Sequence, residues 1–240
     1  MKYENIVKGE FINRPNRFIA NVKIDGKLET VHVKNTGRCK ELLIPSATIY
    51  LEDFISNMRT RKLRYDLISV EKVISCNKVM LVNMDSQVPN KVVKEALELG
   101  KINLLGMDKL SLIRPETFYK ESRFDFYVQD IKGKEGFIEV KGVTLENDGI
   151  CSFPDAVTDR GRKHMLELID AKKNGYMAYS LFLVQMRGMK EFTVADDHDI
   201  EFGKALRLAR NNGVNILCYE CKVEPSSIEI DKEVKINIGG

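Results

Sequence analysis

The segment Ser122–Val143 constrains the fold of this chain more than any other, because it predicts two strands joined by a tight turn. Apolar and polar residues alternate on both sides of a charged stretch that contains Gly133 and Gly136. Alternation with a period of two is typical of strands. Glycines and charged residues between two such runs favour a turn. The segment therefore predicts a β-hairpin folded about Lys132 and Gly133.

The predicted hairpin brings two carboxylates and a lysine to one patch of sheet. Asp125 on the first strand comes opposite Glu139–Lys141 on the second, to within a residue or two. Glu139 and Lys141 share a face because side chains alternate along a strand. Two carboxylates at close quarters repel each other unless a cation or a proton lies between them. Oxygen ligands from Asp125 and Glu139 suit Mg²⁺ or Mn²⁺, so we expect a divalent metal here.

The order of these residues, D-x(13)-E-x-K, is that of the PD-(D/E)xK nuclease site. In such a site Lys141 would orient the attacking water or stabilise charge on the phosphate. The pattern alone is weak, because E-x-K occurs by chance in many charged chains. A solvated salt bridge on a hairpin remains the alternative. Pro154-Asp155 does not supply the "PD" of the motif, because it follows the E-x-K instead of preceding it.

Composition indicates an ordinary globular protein. The 240 residues suffice for one large domain or two of usual size. No apolar run approaches the ~20 residues that a membrane span needs. The first residues lack the apolar core of a signal peptide, so we expect a cytoplasmic protein with no membrane partner. The five cysteines are an odd number typical of reduced thiols, and Cys218 and Cys221 lack the further ligands that zinc requires.

Residues 1–86 predict a small OB-like β-barrel. Strands are expected at roughly 5–12, 17–24, 28–34, 47–52, 63–74 and 78–84. Asp25-Gly26 is the strongest hairpin signal among the turns between them. The region holds 15 Lys and Arg against 10 Asp and Glu, and OB-like barrels bind nucleic acid through a basic groove and aromatic stacking. A solvated charged face is the alternative. The candidate contacts are Arg14, Arg17, Phe18, Arg38, Lys40, Arg59, Arg61, Lys62, Arg64 and Tyr65.

Residues 87–240 predict a mixed sheet flanked by helices. A first helix is expected from Asn90, as its N-cap, to Gly100. Glu95 lies near the buried side of this helix, where it could face the hairpin, although a surface glutamate is the alternative. Buried strands are expected at 176–186 and 214–223, with a helix at 199–212 between them and an edge strand within 225–240.

A further helix is expected to begin near Thr158 and to stop before Gly175. Cations crowd its first turns, where they oppose the helix dipole. Phosphate binding at the helix N-terminus would explain them. These residues are Arg160, Arg162, Lys163 and His164.

The chain resembles the sugar fermentation stimulation protein A family along most of its length. The matching segments are N-R-P-N-R-F (13–18), H-V-K-N-T-G-R-C-K-E-L-L (32–43), P-N-K-V-V-K-E-A-L (89–97), S-R-F-D-F (122–126), E-V-K-G-V-T-L (139–145) and F-P-D-A-V-T-D-R-G-R-K-H-M-L-E-L (153–168). The resemblance implies an OB-like domain followed by a restriction-endonuclease-like domain, and we place the boundary at residues 86 and 87. It also implies DNA binding and a role in regulating genes of sugar metabolism.

The resemblance implies a nuclease-like site made of Asp125, Glu139 and Lys141, with Glu95 as a candidate fourth member. The backbone carbonyl of Val140 is an expected further ligand of Mg²⁺ or Mn²⁺. DNA is the expected nucleic acid, and the sequence leaves its strandedness and the oligomeric state open, a homodimer included. The full set of expected DNA contacts is Arg14, Arg17, Phe18, Arg38, Arg61, Lys62, Tyr65, Arg160, Lys163 and His164.

Three functions fit these features. The first is metal-dependent hydrolysis of phosphodiesters, which the two carboxylates and the lysine favour. The second is a DNA-binding regulator whose nuclease-like site is inactive. The third is a small-molecule sensor or interaction module that does not bind nucleic acid. Salt dependence separates the third from the others, because phosphate contacts release counterions.

Overall fold

The structure, a computed structural model, describes residues 1–35, 37–58, 61–74 and 78–239. Two compact units are present. The barrel unit comprises Met1–Val88, Gln185–Arg187 and Cys221–Glu229, and the sheet unit comprises Pro89–Val184, Gly188–Glu220 and Ile230–Gly240. The division after Val88 lies close to the predicted boundary, whereas the two short returns of the chain to the barrel unit had no signal in the sequence.

The barrel unit is a closed OB-like barrel. Its sheet has the order β3-β2-β1-β4-β5-β6, and β3 also pairs with β5 in parallel, which closes five strands into a barrel. The prediction of an N-terminal OB-like barrel is confirmed. The strands are β1 (Ile6–Asn16), β2 (Ile19–Ile24), β3 (Lys27–Val33), β4 (Thr48–Asp53), β5 (Tyr65–Val73) and β6 (Val79–Asn83), with a 3₁₀ turn at Ile55–Asn57.

The hairpin between β2 and β3 confirms the strongest turn signal of this region. Asp25 and Gly26 have φ values of 48° and 80°. Positive φ at both central residues matches the twist of the flanking strands, and aspartate followed by glycine tolerates it. Along β2, alternate residues are buried, and Ala20 and Val22 have no exposed surface. The alternation therefore places one face of β2 in the barrel core.

The sheet unit confirms the predicted mixed sheet with flanking helices. Its main sheet has the order β15-β14-β12-β9-β8-β7, in which β7, β8 and β9 are antiparallel neighbours and β9, β12 and β14 run parallel. A small second sheet has the order β10-β11-β13. The elements are α1 (Val88–Glu98), β7 (Leu110–Tyr119), β8 (Ser122–Asp130), β9 (Glu135–Val143), β10 (Leu145–Asn147), β11 (Ile150–Phe153), α2 (Asp159–Lys173), β12 (Met177–Val184), β13 (Glu191–Val194), α3 (Ile200–Asn211), β14 (Asn215–Glu224) and β15 (Ser227–Glu233).

Three details of the sheet unit correct the sequence prediction. Helix α1 begins at Val88, so Asn90 lies inside the helix and is not its N-cap. The helix ends at Glu98, so Leu99, which lies within the predicted range, follows the helix and is 63% exposed. Strand β7 has no counterpart among the predicted strands. It is an edge strand that contains Pro115 and keeps most residues at least partly exposed, so its pattern does not alternate clearly.

Among the described residues, no helix is long and apolar enough to cross a membrane. Four buried cysteines form no disulfide, which agrees with the expectation of reduced thiols. They are Cys39, Cys151, Cys218 and Cys221. The fifth cysteine, Cys76, lies outside the described residues.

Candidate functional site

The β8–β9 hairpin positions the candidate site. Its turn is fixed by Asp130, whose Oδ1 accepts hydrogen bonds from the backbone N–H groups of Lys132 and Lys134, both at 2.9 Å. Gly133 has a φ of 81°, which favours glycine at this place. The turn sets the register of the two strands. In this register the last pair lies at Phe126, opposite Ile138. The next step of the same register places Asp125 opposite Glu139.

Glu139 is the most constrained side chain of the site. It is 3% exposed, and its Oε1 accepts a hydrogen bond from Lys141 Nζ at 2.6 Å and a second one from His164 Nδ1. Oε2 is buried and has no hydrogen-bond partner among the described residues. Burial alone would raise the pKa of Glu139, but the His164 hydrogen bond and the Lys141 charge outweigh it, so the pKa lies below its ordinary value. Glu139 is therefore an ionised carboxylate with one free oxygen.

Asp125 has the opposite electrostatic character. Its Oδ2 accepts a hydrogen bond from the backbone N–H of Val140 and its Oδ1 accepts one from Asn90 Nδ2, both at 2.7 Å. Burial, and then the negative charge of Glu139, raise its pKa above the ordinary value despite these two bonds. A pair of carboxylates shifted in opposite directions is typical of functional sites.

The donor set fits a hard divalent cation. The unpartnered Oε2 of Glu139 is a buried anionic oxygen, and such an atom is costly unless something binds it. Asp125 supplies the second carboxylate. The described residues contain no cluster of three or more His, Cys, Asp or Glu side chains arranged for a metal. A site with two carboxylates and few other protein ligands suits Mg²⁺, which usually keeps several waters.

His164 occupies a different place from the one expected. The sequence predicts a DNA contact on an exposed helix turn, but His164 is 4% exposed and bonded to Glu139. Helix α2 begins with Thr158 as N-cap, whose Oγ1 accepts a hydrogen bond from the Gly161 backbone N–H at 3.1 Å. Because α2 begins at this point, the side chain of His164 lies on the face of the helix that is turned towards the sheet. Its Nδ1 donates to Glu139, which leaves Nε2 to accept from Arg160 Nε at 3.5 Å.

Three other expected residues of the sheet unit, Glu95, Arg160 and Lys163, lie at the surface. Glu95 is exposed on α1, and the residue of α1 that reaches Asp125 is Asn90. Sequence reasoning interpreted Asn90 as a cap and therefore missed this contact. Arg160 and Lys163 are exposed near the start of α2.

Several expected DNA contacts in the barrel unit have structural partners instead. Tyr65 is 5% exposed, with the Arg64 guanidinium 4.8 Å from its ring centre, so no base can stack on it. Arg61 binds Asp66 and lies 3.8 Å over the ring of Phe54. Tyr65 and Arg61 are therefore engaged within the barrel unit, although 26% of the Arg61 side chain stays exposed.

The guanidinium group of Arg14 is also engaged, in this case by backbone carbonyl groups. Its guanidinium donates four hydrogen bonds of 2.5 to 3.0 Å to carbonyl oxygens of Arg17, Asn35, Gly37 and Arg38. Burial lowers the pKa of Arg14. The expected contacts that remain exposed are Arg17, Phe18, Arg38, Lys40 and Lys62, and Arg59 lies outside the described residues.

Replacement of Asp125 by asparagine is expected to stabilise the metal-free protein at neutral pH. The folded pKa of Asp125 lies above the unfolded one, so its neutral form favours folding at low pH, and this contribution is lost as pH rises through the folded pKa. Asparagine at position 125 stays neutral. The side-chain amide of Asn90 can rotate so that its oxygen accepts a hydrogen bond from the new side-chain N–H group. Thermal unfolding in chelator, from pH 3 to pH 8, measures the effect.

The gain from Asp125→Asn is expected to vanish below about pH 4, where unfolded aspartate is itself protonated. Asp155→Asn, at an exposed position, is the matched control. Added Mn²⁺ is expected to raise the unfolding temperature of the wild type and not of Asp125→Asn. A variant less stable than the wild type throughout this pH range would contradict the raised pKa that burial and the Glu139 charge give Asp125.

The fold and the site define a two-domain protein with an OB-like barrel followed by a restriction-endonuclease-like sheet. Two family models match the chain: the SfsA N-terminal OB domain over residues 12–82, and the sugar fermentation stimulation protein RE domain over residues 87–227. The chain belongs to the sugar fermentation stimulation protein family.

Relatives at high and low identity agree with this membership. Sugar fermentation stimulation protein homologs are similar over 98% of the chain: one from Clostridium botulinum (strain Loch Maree / Type A3) is 53% identical and covered to 98% of its length, and one from Clostridium beijerinckii is 51% identical and covered to 99%. A solved structure of SfsA from Pyrococcus furiosus in complex with Ca²⁺ is 25% identical. It superposes with a TM-score of 0.84 over 99% of this chain and 98% of that one.

Proposed function

We propose that this chain is a divalent-metal-dependent nuclease that acts on DNA in the cytoplasm. The observation that carries the proposal is that the two carboxylate oxygens of Glu139 have different surroundings. Two donors hold Oε1, while the buried Oε2 has no partner among the described residues. Buried carboxylate oxygens are usually satisfied, although Asp66, Glu167 and Glu220 also have one without a hydrogen-bond partner in the described part of the chain. The free oxygen, beside a second carboxylate of raised pKa, fits a cation ligand.

Asp125 and Glu139 are the proposed ligands of Mg²⁺ or Mn²⁺, with the backbone carbonyl of Val140 as a third. The ion, when bound, would polarise the phosphate and lower the pKa of the attacking water. The Ca²⁺ named for the Pyrococcus furiosus relative supports a divalent site in this family, since Ca²⁺ and Mg²⁺ both prefer oxygen ligands.

The side chains around the carboxylates have separate roles in this proposal. Lys141, whose Nζ is bonded to Glu139 and whose side chain is 14% exposed, orients the water or stabilises charge that develops on the phosphate. His164 holds Glu139 in one rotamer. Arg160 and Lys163, exposed near the start of α2, bind the phosphates that flank the cleaved bond.

Cleavage of labelled single- and double-stranded DNA tests the proposal. We expect products with Mg²⁺ or Mn²⁺ and none in chelator. Ca²⁺ provides a useful comparison, because it binds oxygen ligands in a more flexible geometry and need not support the reaction. DNA binding without cleavage, in both Mg²⁺ and Mn²⁺ and with both substrates, would overturn the nuclease proposal.

A DNA-binding regulator of sugar metabolism genes is the second candidate. The observation that favours it is the ion pair of Lys141 with Glu139, which uses one of the three donors of the ammonium group and draws it towards that carboxylate. An inactive site could use the same carboxylates as a metal-dependent clamp on DNA. The arms with Mg²⁺ or Mn²⁺ separate the two functions, because a nuclease cuts the bound strand there whereas a clamp binds it and leaves it intact.

His164 is expected to control metal affinity through one ring nitrogen. Asparagine can place its amide N–H near the position of Nδ1, whereas glutamine places it near Nε2. We therefore expect His164→Gln to weaken Mn²⁺ binding by about 10- to 100-fold, as for other partners of metal ligands, and His164→Asn to retain most of the affinity. Calorimetric titration with Mn²⁺, in the absence of DNA, measures both.

Thermal unfolding in chelator serves as the control for folding of the two His164 variants. Equal losses of Mn²⁺ affinity in both variants, at equal stability, would show that the Nδ1 hydrogen bond to Glu139 does not position the ligand.

A further inference from the structure

Ser180 places a buried hydroxyl group beside Glu139. Strand β12 pairs with β9 in parallel, and the register sets Ser180 against Glu139. Paired residues of neighbouring strands point to the same face of a sheet, and such strands lie about 4.8 Å apart. Ser180 has no exposed surface, and helix α2 packs against both strands. The hydroxyl therefore lies in the row of side chains that runs across the sheet from Asp125 through Glu139.

The other neighbours of Ser180 on this face are apolar. Ala178 and Phe182 flank it, each two residues away on β12, and Ile216 is its pair on β14. Of these four neighbours, Glu139 is the one with a polar side chain. Any polar contact of the Ser180 hydroxyl within this row is therefore with Glu139, directly or through a small bridging molecule.

The two groups have a complementary deficit of hydrogen bonds. Ser180 Oγ and Glu139 Oε2 are both buried, and neither forms a hydrogen bond with the residues that the structure describes. A buried hydroxyl or carboxylate oxygen without a partner is unfavourable. Proteins satisfy such neighbouring polar groups with a buried water molecule, which needs at least two polar partners. A hydroxyl and a carboxylate oxygen on adjacent strands provide them.

We propose that Ser180 is a positioning residue for Glu139 and acts through one buried water molecule. The hydroxyl donates a hydrogen bond to the water, and the water donates one to Oε2 of Glu139. The proposal deepens the proposed function and rests on it, because Glu139 is there a metal ligand. An ionised carboxylate oxygen has about two acceptor sites, so Oε2 can accept from the water and still bind a cation.

The bridge would hold the Glu139 carboxylate at its second oxygen. Lys141 and His164 already donate to Oε1, which leaves Oε2 as the end of the group that is not fixed by them. With the water at Oε2, the carboxylate can no longer turn about its last bond. Its remaining acceptor site then keeps one direction, which is how hydrogen-bonded partners of a ligand raise metal affinity.

Calorimetric titration of the full chain with Mn²⁺, in the absence of DNA, tests this role. Ser180→Ala removes the hydroxyl, whereas Ser180→Cys keeps most of the volume but is a much weaker donor. We expect the Mn²⁺ affinity to fall about tenfold or more in both variants. Ser69→Ala is the matched control, because Ser69 Oγ is equally buried and lacks a partner among the described residues, but lies on β5 of the barrel unit. Its affinity is expected to equal that of the wild type.

The variants separate a hydrogen-bonding role from simple packing. Wild-type affinity in both Ser180 variants would overturn the inference and leave the proposed function intact. Wild-type affinity in Ser180→Cys alone would also overturn it, since volume and not the hydroxyl would then matter. If the wild type binds no Mn²⁺, the proposed function and this inference fail together.

A crystal structure of the metal-free wild type tests the water directly and decides the matter even if a Ser180 variant does not fold. We expect one ordered water molecule within hydrogen-bond distance of both Ser180 Oγ and Glu139 Oε2. A direct hydrogen bond between the two side chains would overturn the inference, as would the lack of a water between them. Neither result would bear on whether the protein cleaves DNA.

Discussion

Replacement of Lys141 by alanine is expected to lower metal-dependent DNA cleavage by about 10²- to 10³-fold, the usual effect of removing a group that stabilises transition-state charge. DNA binding is expected to remain, because the exposed cations of both units are unchanged. The same change removes the positive charge beside Glu139 and one of the two hydrogen bonds to its Oε1, while the bond from His164 remains. Single-turnover cleavage at saturating Mn²⁺ measures the chemical step apart from metal affinity.

Lys132→Ala is the matched control for Lys141→Ala. Both residues lie on the β8–β9 hairpin, but Lys132 is exposed at its tip and paired with Asp108. We expect its cleavage rate to equal that of the wild type. Unchanged cleavage in Lys141→Ala would exclude this lysine from the chemistry. Loss of Mn²⁺ binding in that variant, with cleavage restored at higher Mn²⁺, would limit Lys141 to supporting Glu139.

Local pattern was sufficient to predict the hairpin and the residues it brings together. Strand alternation determines which side chains share a face, and the turn determines the register, so Asp125, Glu139 and Lys141 could be placed from 22 consecutive residues. The cap of α2 at Thr158 was predictable for the same reason, since its signal lies within one helical turn.

The contacts that complete the site depend on packing between distant parts of the chain. Asn90 and Asp125 are 35 residues apart, and Glu139 and His164 are 25 apart. No local pattern links such pairs. Polar residues at a helix start favour caps and phosphate contacts in general, and this is why Asn90 and His164 were interpreted in those terms.

The charged residues of the barrel unit illustrate a second limit. Sequence shows that a cation exists but not whether a partner neutralises it. Arg14 bonds to carbonyl groups and Arg61 to a buried aspartate, whereas Arg17 and Arg38 stay exposed. The exposed set alone can contribute to association with a polyanion. The net charge of residues 1–86 therefore predicts more contacts with DNA than the exposed cations of this region can make.

Replacement of Asp66 by alanine is expected to reduce the free energy of unfolding by about 3–5 kcal/mol, the usual cost of removing one partner from a buried ion pair. The Asp66 side chain has no exposed surface. Its carboxylate lies 3.1 Å from Lys34 Nζ and 3.3 Å from His32 Nδ1, and it also binds Arg61. His32 and Asp66 are paired across β3 and β5, the two strands that close the barrel.

Removal of the Asp66 charge leaves the partly buried cations Lys34 and Arg61 without that carboxylate at the barrel closure. Burial favours the neutral form of Lys34, but the charges of Asp85 and Asp66 outweigh it and raise its pKa. Without Asp66, Lys34 keeps the Asp85 carboxylate, 3.1 Å away, and Arg61 loses its carboxylate partner. The strands that close the barrel are therefore destabilised by uncompensated charge as well as by the absence of these hydrogen bonds.

Urea-induced unfolding followed by circular dichroism measures the cost of Asp66→Ala. Asp66→Asn, which retains the volume and one acceptor, is expected to lose less, and Glu41→Ala, at an exposed position, is expected to change little. A decrease below about 1 kcal/mol in Asp66→Ala would mean that Lys34 and Arg61 reach water at small cost. In that case the parallel pairing of β3 with β5, and not the ion cluster beside it, would be what keeps the barrel closed.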